Sequence, residues 1–160
     1  MDFTKKHIKT SVVACIIDGG DHVVLTRRCI EPFCGLWVMP GGKIDHGESI
    51  LAALRREVRE EVGLEVHVDG LVDVYEHVGI GPAGDHYVIL YYRARPVGHE
   101  LCPNGAEVTE ARWVPAAELS RYAMTPGTRH VLARLFPDCL ADPGTPHDEL
   151  AARVQATGTP

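Results

Sequence analysis

Apolar and polar positions change period several times along the chain, and each change marks an element. Lys9 to Asp18 is rich in β-branched residues and reads as a strand. Gly19-Gly20-Asp21 reads as a turn, and His22 to Arg28 (HVVLTRR) as the returning strand of a hairpin. Glu31 to Asp45 carries Pro32, Gly35, Pro40, Gly41 and Gly42 and reads as loop. The period then turns helical. Leu51, Leu54, Val58 and Val62 recur at three- and four-residue spacing, giving one apolar stripe on a helix over Glu48 to Val62. Ser49 is placed to cap its start, and Gly63 follows it, where a left-handed residue closes a helix. Leu64 to Val78 reads as strand with a bend near Asp69-Gly70, and Gly79 to Gly84 as loop. Tyr87 to Arg95 reads as strand, and Ala111 to Val114 as a short strand around Trp113. Pro115 to Leu119 reads as one helical turn, and Thr128 to Phe136 as a second amphipathic helix.

Strands, a central helix, more strands and a final helix predict a mixed α/β fold with helices packed on a sheet, not repeated βαβ units. A chain of 160 residues fits one domain, here residues 1–137. Residues 138–160, with prolines at 143, 146 and 160, read as a tail holding a short helix at best.

Composition narrows the function classes. The longest apolar runs, such as Val12 to Ile17 and Tyr87 to Tyr92, fall far short of the roughly 20 residues of a membrane span. The N-terminal residues show no apolar signal core, so a cytoplasmic protein is expected. Five cysteines, odd in number and without a CxxC pair, point to free thiols rather than to a zinc site. The net charge of −6 argues against a nucleic-acid polymer as partner. It leaves room for a small phosphorylated ligand, whose charge a bound divalent metal can offset. It also leaves a homodimer open.

Glu57, Glu60 and Glu61 fall within about 100° of one another on the helical wheel. Like charges at such spacing repel. A hard divalent cation with oxygen ligands offsets that repulsion, and such sites often hold substrate phosphates as well. The plainer alternative is a solvated acidic face paired with Arg55, Arg56 and Arg59. Pro40-Gly41-Gly42 weighs toward the metal, because glycine lets backbone come close to a ligand or ion.

Gly42-x5-Glu48-x7-Arg56-Glu57-Val58-Arg59-Glu60-Glu61-Val62-Gly63-Leu64 resembles a complete Nudix box, GX5EX7REUXEEXGU with U a bulky aliphatic residue. The preceding hairpin, the WVMPGG segment and a later Glu-rich stretch before a Trp are similar to the family too, over roughly residues 9–136. The resemblance implies an α/β/α sandwich on a mixed sheet, with the box forming loop–helix–loop. It implies a Mg²⁺ or Mn²⁺ enzyme that attacks a diphosphate with water. Glu57, Glu60 and Glu61 would then be metal ligands, helped by the Gly41 carbonyl. Arg56 and Glu48 would orient the acids and brace the helix. Glu107, six residues before Trp113, resembles an extra metal-binding Glu of MutT-type members, as ligand or base; Glu110 reads as solvated. The LTRR strand resembles one from which an Arg reaches the nucleotide. Alternation sends Arg27 and Arg28 to opposite faces, and Arg28 is favoured. Gly42 and Glu76 join Arg28 as substrate-binding candidates. Tyr75, His77, Asp85 and His86 are further candidates for the cleft. Phe33, Trp37 and Trp113 could stack on a base, but core positions are the commoner fate of such aromatics.

For the substrate, the expectation is a small nucleotide. The TPGTRHVLARL segment resembles MutT-type 8-oxo-dGTPases, but their guanine-reading Asn is Thr128 here. The EPFCGLW segment resembles ADP-ribose and NDP-sugar hydrolases, as does Pro82 downstream of the box. A nucleoside diphosphate joined to a sugar, ADP-ribose first, is favoured. A MutT-type triphosphate pyrophosphohydrolase is the alternative. A non-catalytic Nudix-fold binding module and an isopentenyl diphosphate isomerase are less favoured, since all the box acids are present and the isomerase's cysteine context is not.

Overall fold

The computed structural model describes residues 6–80 and 83–141. Strands β1 (Lys9–Asp18) and β2 (His22–Arg28) match the alternating segments. They are joined through Gly19 and Gly20, whose φ angles of 57° and 87° suit glycine. The expected loop between Glu31 and Asp45 contains two very short strands, β3 (Trp37–Val38) and β4 (Gly41–Lys43). They are too short for a period to reveal, and neighbouring strands recruit them. Helix α1 (Ile50–Val62) has both expected caps. Ser49 Oγ accepts from the Ala52 N–H at 3.2 Å, and Gly63, at φ 73°, donates its N–H to the Arg59 carbonyl.

Strands β5 (Val66–Ile80) and β6 (Asp85–Pro96) form a long antiparallel pair that takes up part of the expected 79–84 loop. A register shift between Val68 and Gly70 gives the bend. Strand β7 (Val108–Pro115) begins earlier than its apolar pattern suggested, because it pairs along the whole of β2. A 3-10 turn (Ala116–Arg121) follows, then helix α2 (Pro126–Leu135) with proline in its first turn. Beyond α2, Leu140 is buried in the core. Pro82 and the expected tail from residue 142 onward lie outside the described residues. No described helix is long and apolar enough to cross a membrane.

The sheet runs β3-β2-β1-β6-β5, with β4 on β1 and β7 on β2. β1 is parallel to β6 and antiparallel to β2 and β4. Alternation along β1 sends Val12, Ala14 and Ile16 toward α1, and Cys15 and Ile17 into the core beneath α2. Each helix closes a separate apolar layer, which makes the expected α/β/α sandwich.

Two contacts set how closely β4 lies to β1 and to α1. A Cβ on Gly41 would overlap the Val12 carbonyl and lie 2.6 Å from Val13 Cα, both backbone atoms that cannot swing aside. A Cβ on Gly42 would strike the carboxylate of Glu57, at 2.5 Å from Oε1. At Gly41, β4 can therefore run against β1 only as glycine, and at Gly42 a side chain would have to displace the Glu57 carboxylate. Gly41→Ala is expected to lose about 2–3 kcal/mol of unfolding free energy or more. Gly98→Ala, where an added Cβ meets nothing within 4 Å, should stay close to the parent. Urea denaturation of the two variants checks this; a Gly41→Ala protein as stable as Gly98→Ala would contradict it.

Candidate active site

A cleft of about 340 Å³ opens where β4, the carboxyl face of α1, the α2-side face of the sheet and two loops meet. Glu57 and Glu61 reach it from consecutive turns of α1 and are 8% and 6% exposed. Glu107 reaches it from the loop before β7. One carboxylate oxygen from each of the three lies within 4.8 Å of the others. Glu60 stands apart. Along the helix Glu61 lies about 40° to one side of Glu57, and Glu60 about 60° to the other. Glu60 is accordingly exposed and bonded to Arg56 rather than gathered with the three.

Arg56 holds the neighbouring charges. It clasps Glu48 with two bonds, Nε to Oε1 at 2.8 Å and Nη2 to Oε2 at 2.9 Å. Nη1 reaches Glu57 Oε1 at 2.9 Å and Glu60 Oε2 at 3.2 Å, and Nη2 reaches the Lys43 carbonyl at 3.2 Å. The guanidinium thus ties both ends of the helix's acidic side to the glycine strand. The Arg56 hydrogen bonds hold the Glu48 carboxyl below its usual range.

Glu61 has less help. Its Oε2 accepts the Gly41 N–H at 3.0 Å. Burial nevertheless pushes its carboxyl up to about 8, and the charges of Glu57 and Glu107 add to the rise. Burial also raises Glu57, against the pull of Arg56. The positive charge that reaches these acids, Arg56 on Glu57 and Arg28 near Glu61, does not cancel the rise that burial imposes on either. The donor set is all oxygen, which is what a hard divalent cation takes, so the residues present fit Mg²⁺ or Mn²⁺.

Arg28 lines the cleft, with Nε donating to the Pro32 carbonyl at 3.0 Å, and its charge favours ionised Glu61. Arg27 pairs with Glu110, which also pairs with Arg112. Gly41 and Gly42 line the cleft. Glu76 does not: alternation along β5 turns His77 into the cleft and Glu76 to the other face, beside His86. Asp85 pairs with Lys9. Phe33, at φ 69°, lines the cleft and its ring lies 5.9 Å from that of His77. Trp37 and Trp113 pack against the two core layers. Thr128, 1% exposed, lines the cleft and accepts a hydrogen bond from Thr125 Oγ1 at 3.0 Å.

Sequence reading did not anticipate Lys43, Tyr91 or Thr125 at the cleft. Lys43 directly follows the two glycines, which was the available signal. Tyr91 enters because the parallel register sets Val13 opposite it. Nothing local in the sequence reports that pairing.

The profile of the family described as NUDIX domain matches residues 7–135. An 8-oxo-dGDP phosphatase of Homo sapiens is 34% identical over 118 residues, 72% of this chain and 35% of the relative. An ADP-ribose pyrophosphatase of Methanocaldococcus jannaschii is 32% identical over 108 residues, 68% of this chain and 63% of the relative. This chain therefore spans about a third of the human protein's length and under two thirds of the archaeal one's. Among solved structures, a MutT NUDIX hydrolase from Burkholderia pseudomallei superposes with a TM-score of 0.72 at 27% identity, covering 79% of this chain and 97% of that one. With a complete box, the family's sandwich and a profile match across most of its length, this chain belongs to the Nudix family.

Proposed function

We propose that this protein is a Mg²⁺- or Mn²⁺-dependent hydrolase that splits the diphosphate linkage of a small nucleotide-containing molecule. The observation that carries this reading is the convergence of Glu57, Glu61 and Glu107 within 4.8 Å at the wall of a cleft large enough for such a ligand. These three carboxylates, with the Gly41 carbonyl, would hold the ion. When bound, the ion masks the diphosphate's charge, acidifies water and stabilises the departing phosphate. The chain's own residues do the rest. Arg56 and Glu48 brace the acids, and Glu60 balances Arg56. Arg28, with guanidinium nitrogens beyond the one fixed on Pro32, contacts a phosphate oxygen. A carboxylate of the cluster accepts the proton of the attacking water. Gly42 keeps the wall beside Glu57 free of a side chain.

Within that class we favour ADP-ribose or an NDP-sugar. Selecting an oxidised guanine against close analogues takes buried groups that the wrong base leaves unpaired. The described cleft residues include no Asn or Gln. The Thr128 hydroxyl already accepts from Thr125, and one hydroxyl cannot serve as both donor and acceptor edges of an amide. The ADP-ribose relative agrees with this reading. The human relative's name favours a second one, hydrolysis of an oxidised guanine nucleotide.

Activity should vanish with EDTA and return with millimolar Mg²⁺ or Mn²⁺. The ion needs ionised Glu61, whose metal-free carboxyl titrates near 8. Below that pH, binding must expel a proton, so apparent affinity should rise with pH and level off above about 8. Mn²⁺ titration across pH 6–9 reads this out, and full activity in stripped protein would sink the reading. Glu61→Gln should lower kcat on the order of 10²-fold or more while retaining the fold. Turnover near the parent's would remove Glu61 from the site. Competitive hydrolysis of ADP-ribose, a GDP-sugar and 8-oxo-dGTP under one Mg²⁺ condition should give the highest kcat/KM to one of the first two. Preference for 8-oxo-dGTP would select the second reading.

A further inference from the structure

Glu107 stands on a loop, whereas its two partner acids are fixed by a packed helix. Its charge and those of Glu57 and Glu61 oppose one another. An exposed loop would relieve that repulsion by moving away, unless its backbone is held. The segment before β7 shows what holds it. The chain turns at Gly105, at φ 73°, whose N–H donates to the Val108 carbonyl at 2.9 Å. Asn104 precedes the turn and fills it with its side chain. Its Oδ1 accepts from the backbone N–H groups of Ala106 and Glu107, both at 3.0 Å, and of Val108 at 3.2 Å. Three donors converging on one atom identify that atom as the amide oxygen.

The same residue is tied to the helix. The Asn104 N–H donates to the backbone carbonyl of Glu61 at 3.2 Å. Asn104 therefore joins the main chain of one acid directly to the main chain of another. From the opposite side, Cys29 N–H donates to the Glu107 carbonyl at 3.0 Å. Asn104 is exposed and belongs to neither core cluster. Its bonds shape the loop and leave both core layers untouched.

We infer that Asn104 is a positioning residue of the acid cluster: its side-chain carbonyl fixes the Glu107 backbone against the end of α1, so that carboxylates from loop and helix meet one ion. This rests on the reading of Glu107 as a ligand. Holding the loop in place before the ion arrives removes the ordering cost that binding would otherwise carry. Outer groups that orient a metal ligand are typically worth about 10–100-fold in affinity.

The test measures Mn²⁺ binding to the whole chain by the loss of free-ion EPR signal, together with kcat and thermal midpoint. Asn104→Ala should weaken Mn²⁺ binding by about tenfold or more and lower kcat, with the midpoint within a few degrees of the parent. Asn104→Asp, whose carboxylate accepts the same three N–H groups, should restore binding. Glu107→Gln should weaken binding on its own, and adding Asn104→Ala to it should cost nothing further, because the two changes remove one interaction. Parent-like Mn²⁺ binding in Asn104→Ala beside weakened binding in Glu107→Gln would overturn the inference. So would additive losses in the double variant, the mark of a general structural role. Unchanged binding in Glu107→Gln would instead overturn the reading of Glu107, and the inference with it.

Discussion

The rest of this structure depends on one close approach, that of the glycine strand to the carboxyl-bearing side of α1. Gly41 lies on the backbone of β1, and Gly42 lies on the carboxylate of Glu57. With no Cβ at either position, a helix, a strand and two buried acids share a space that any side chain would fill. The Gly41 N–H then donates to Glu61, so the strand that excludes bulk also supplies a hydrogen bond to one acid. Packing and electrostatics meet at the same atoms. That is why the glycines, the helix register and the acids form a single unit.

Charge explains how the unit is divided. Arg56 serves Glu48, Glu57 and Glu60 and anchors itself on the Lys43 carbonyl. It leaves Glu61 to burial, which favours the protonated carboxyl. The helix thus has a balanced outer half and an under-neutralised inner half facing the cleft. A divalent cation would supply what the inner half lacks. Glu107 then sets whether two carboxylates or three converge there, and it depends on a loop whose shape comes from local hydrogen bonds rather than from burial.

The remainder of the cleft is aromatic and hydroxyl-bearing. His77, which burial disposes toward its neutral form, faces the ring of Phe33. The hydroxyls of Tyr91, Thr125 and Thr128 meet at the floor. Phe33 holds a backbone conformation unusual for a bulky residue, a feature that tends to occur where side chains clamp ligands.

The sequence by itself determined α1, its two caps, the hairpin of β1 and β2 and the chemical type of the cluster. These rest on local rules: period, capping chemistry, glycine conformation and like charges at helical spacing. It also held the family resemblance, which needs only the order of residues. Tertiary structure alone decided that Glu60 belongs with Arg56 and not with Glu61, since a wheel gives angles but not which arc faces the sheet. It decided that His77 rather than Glu76 faces the cleft, because the phase of an alternating strand is set by its pairing and packing. It drew β3 and β4 out of an apparent loop by pairing them with longer strands. It brought Glu107 to acids some 50 residues earlier in the chain. No local preference encodes that distance; the β2–β7 pairing and the hydrogen bonds around Asn104 do.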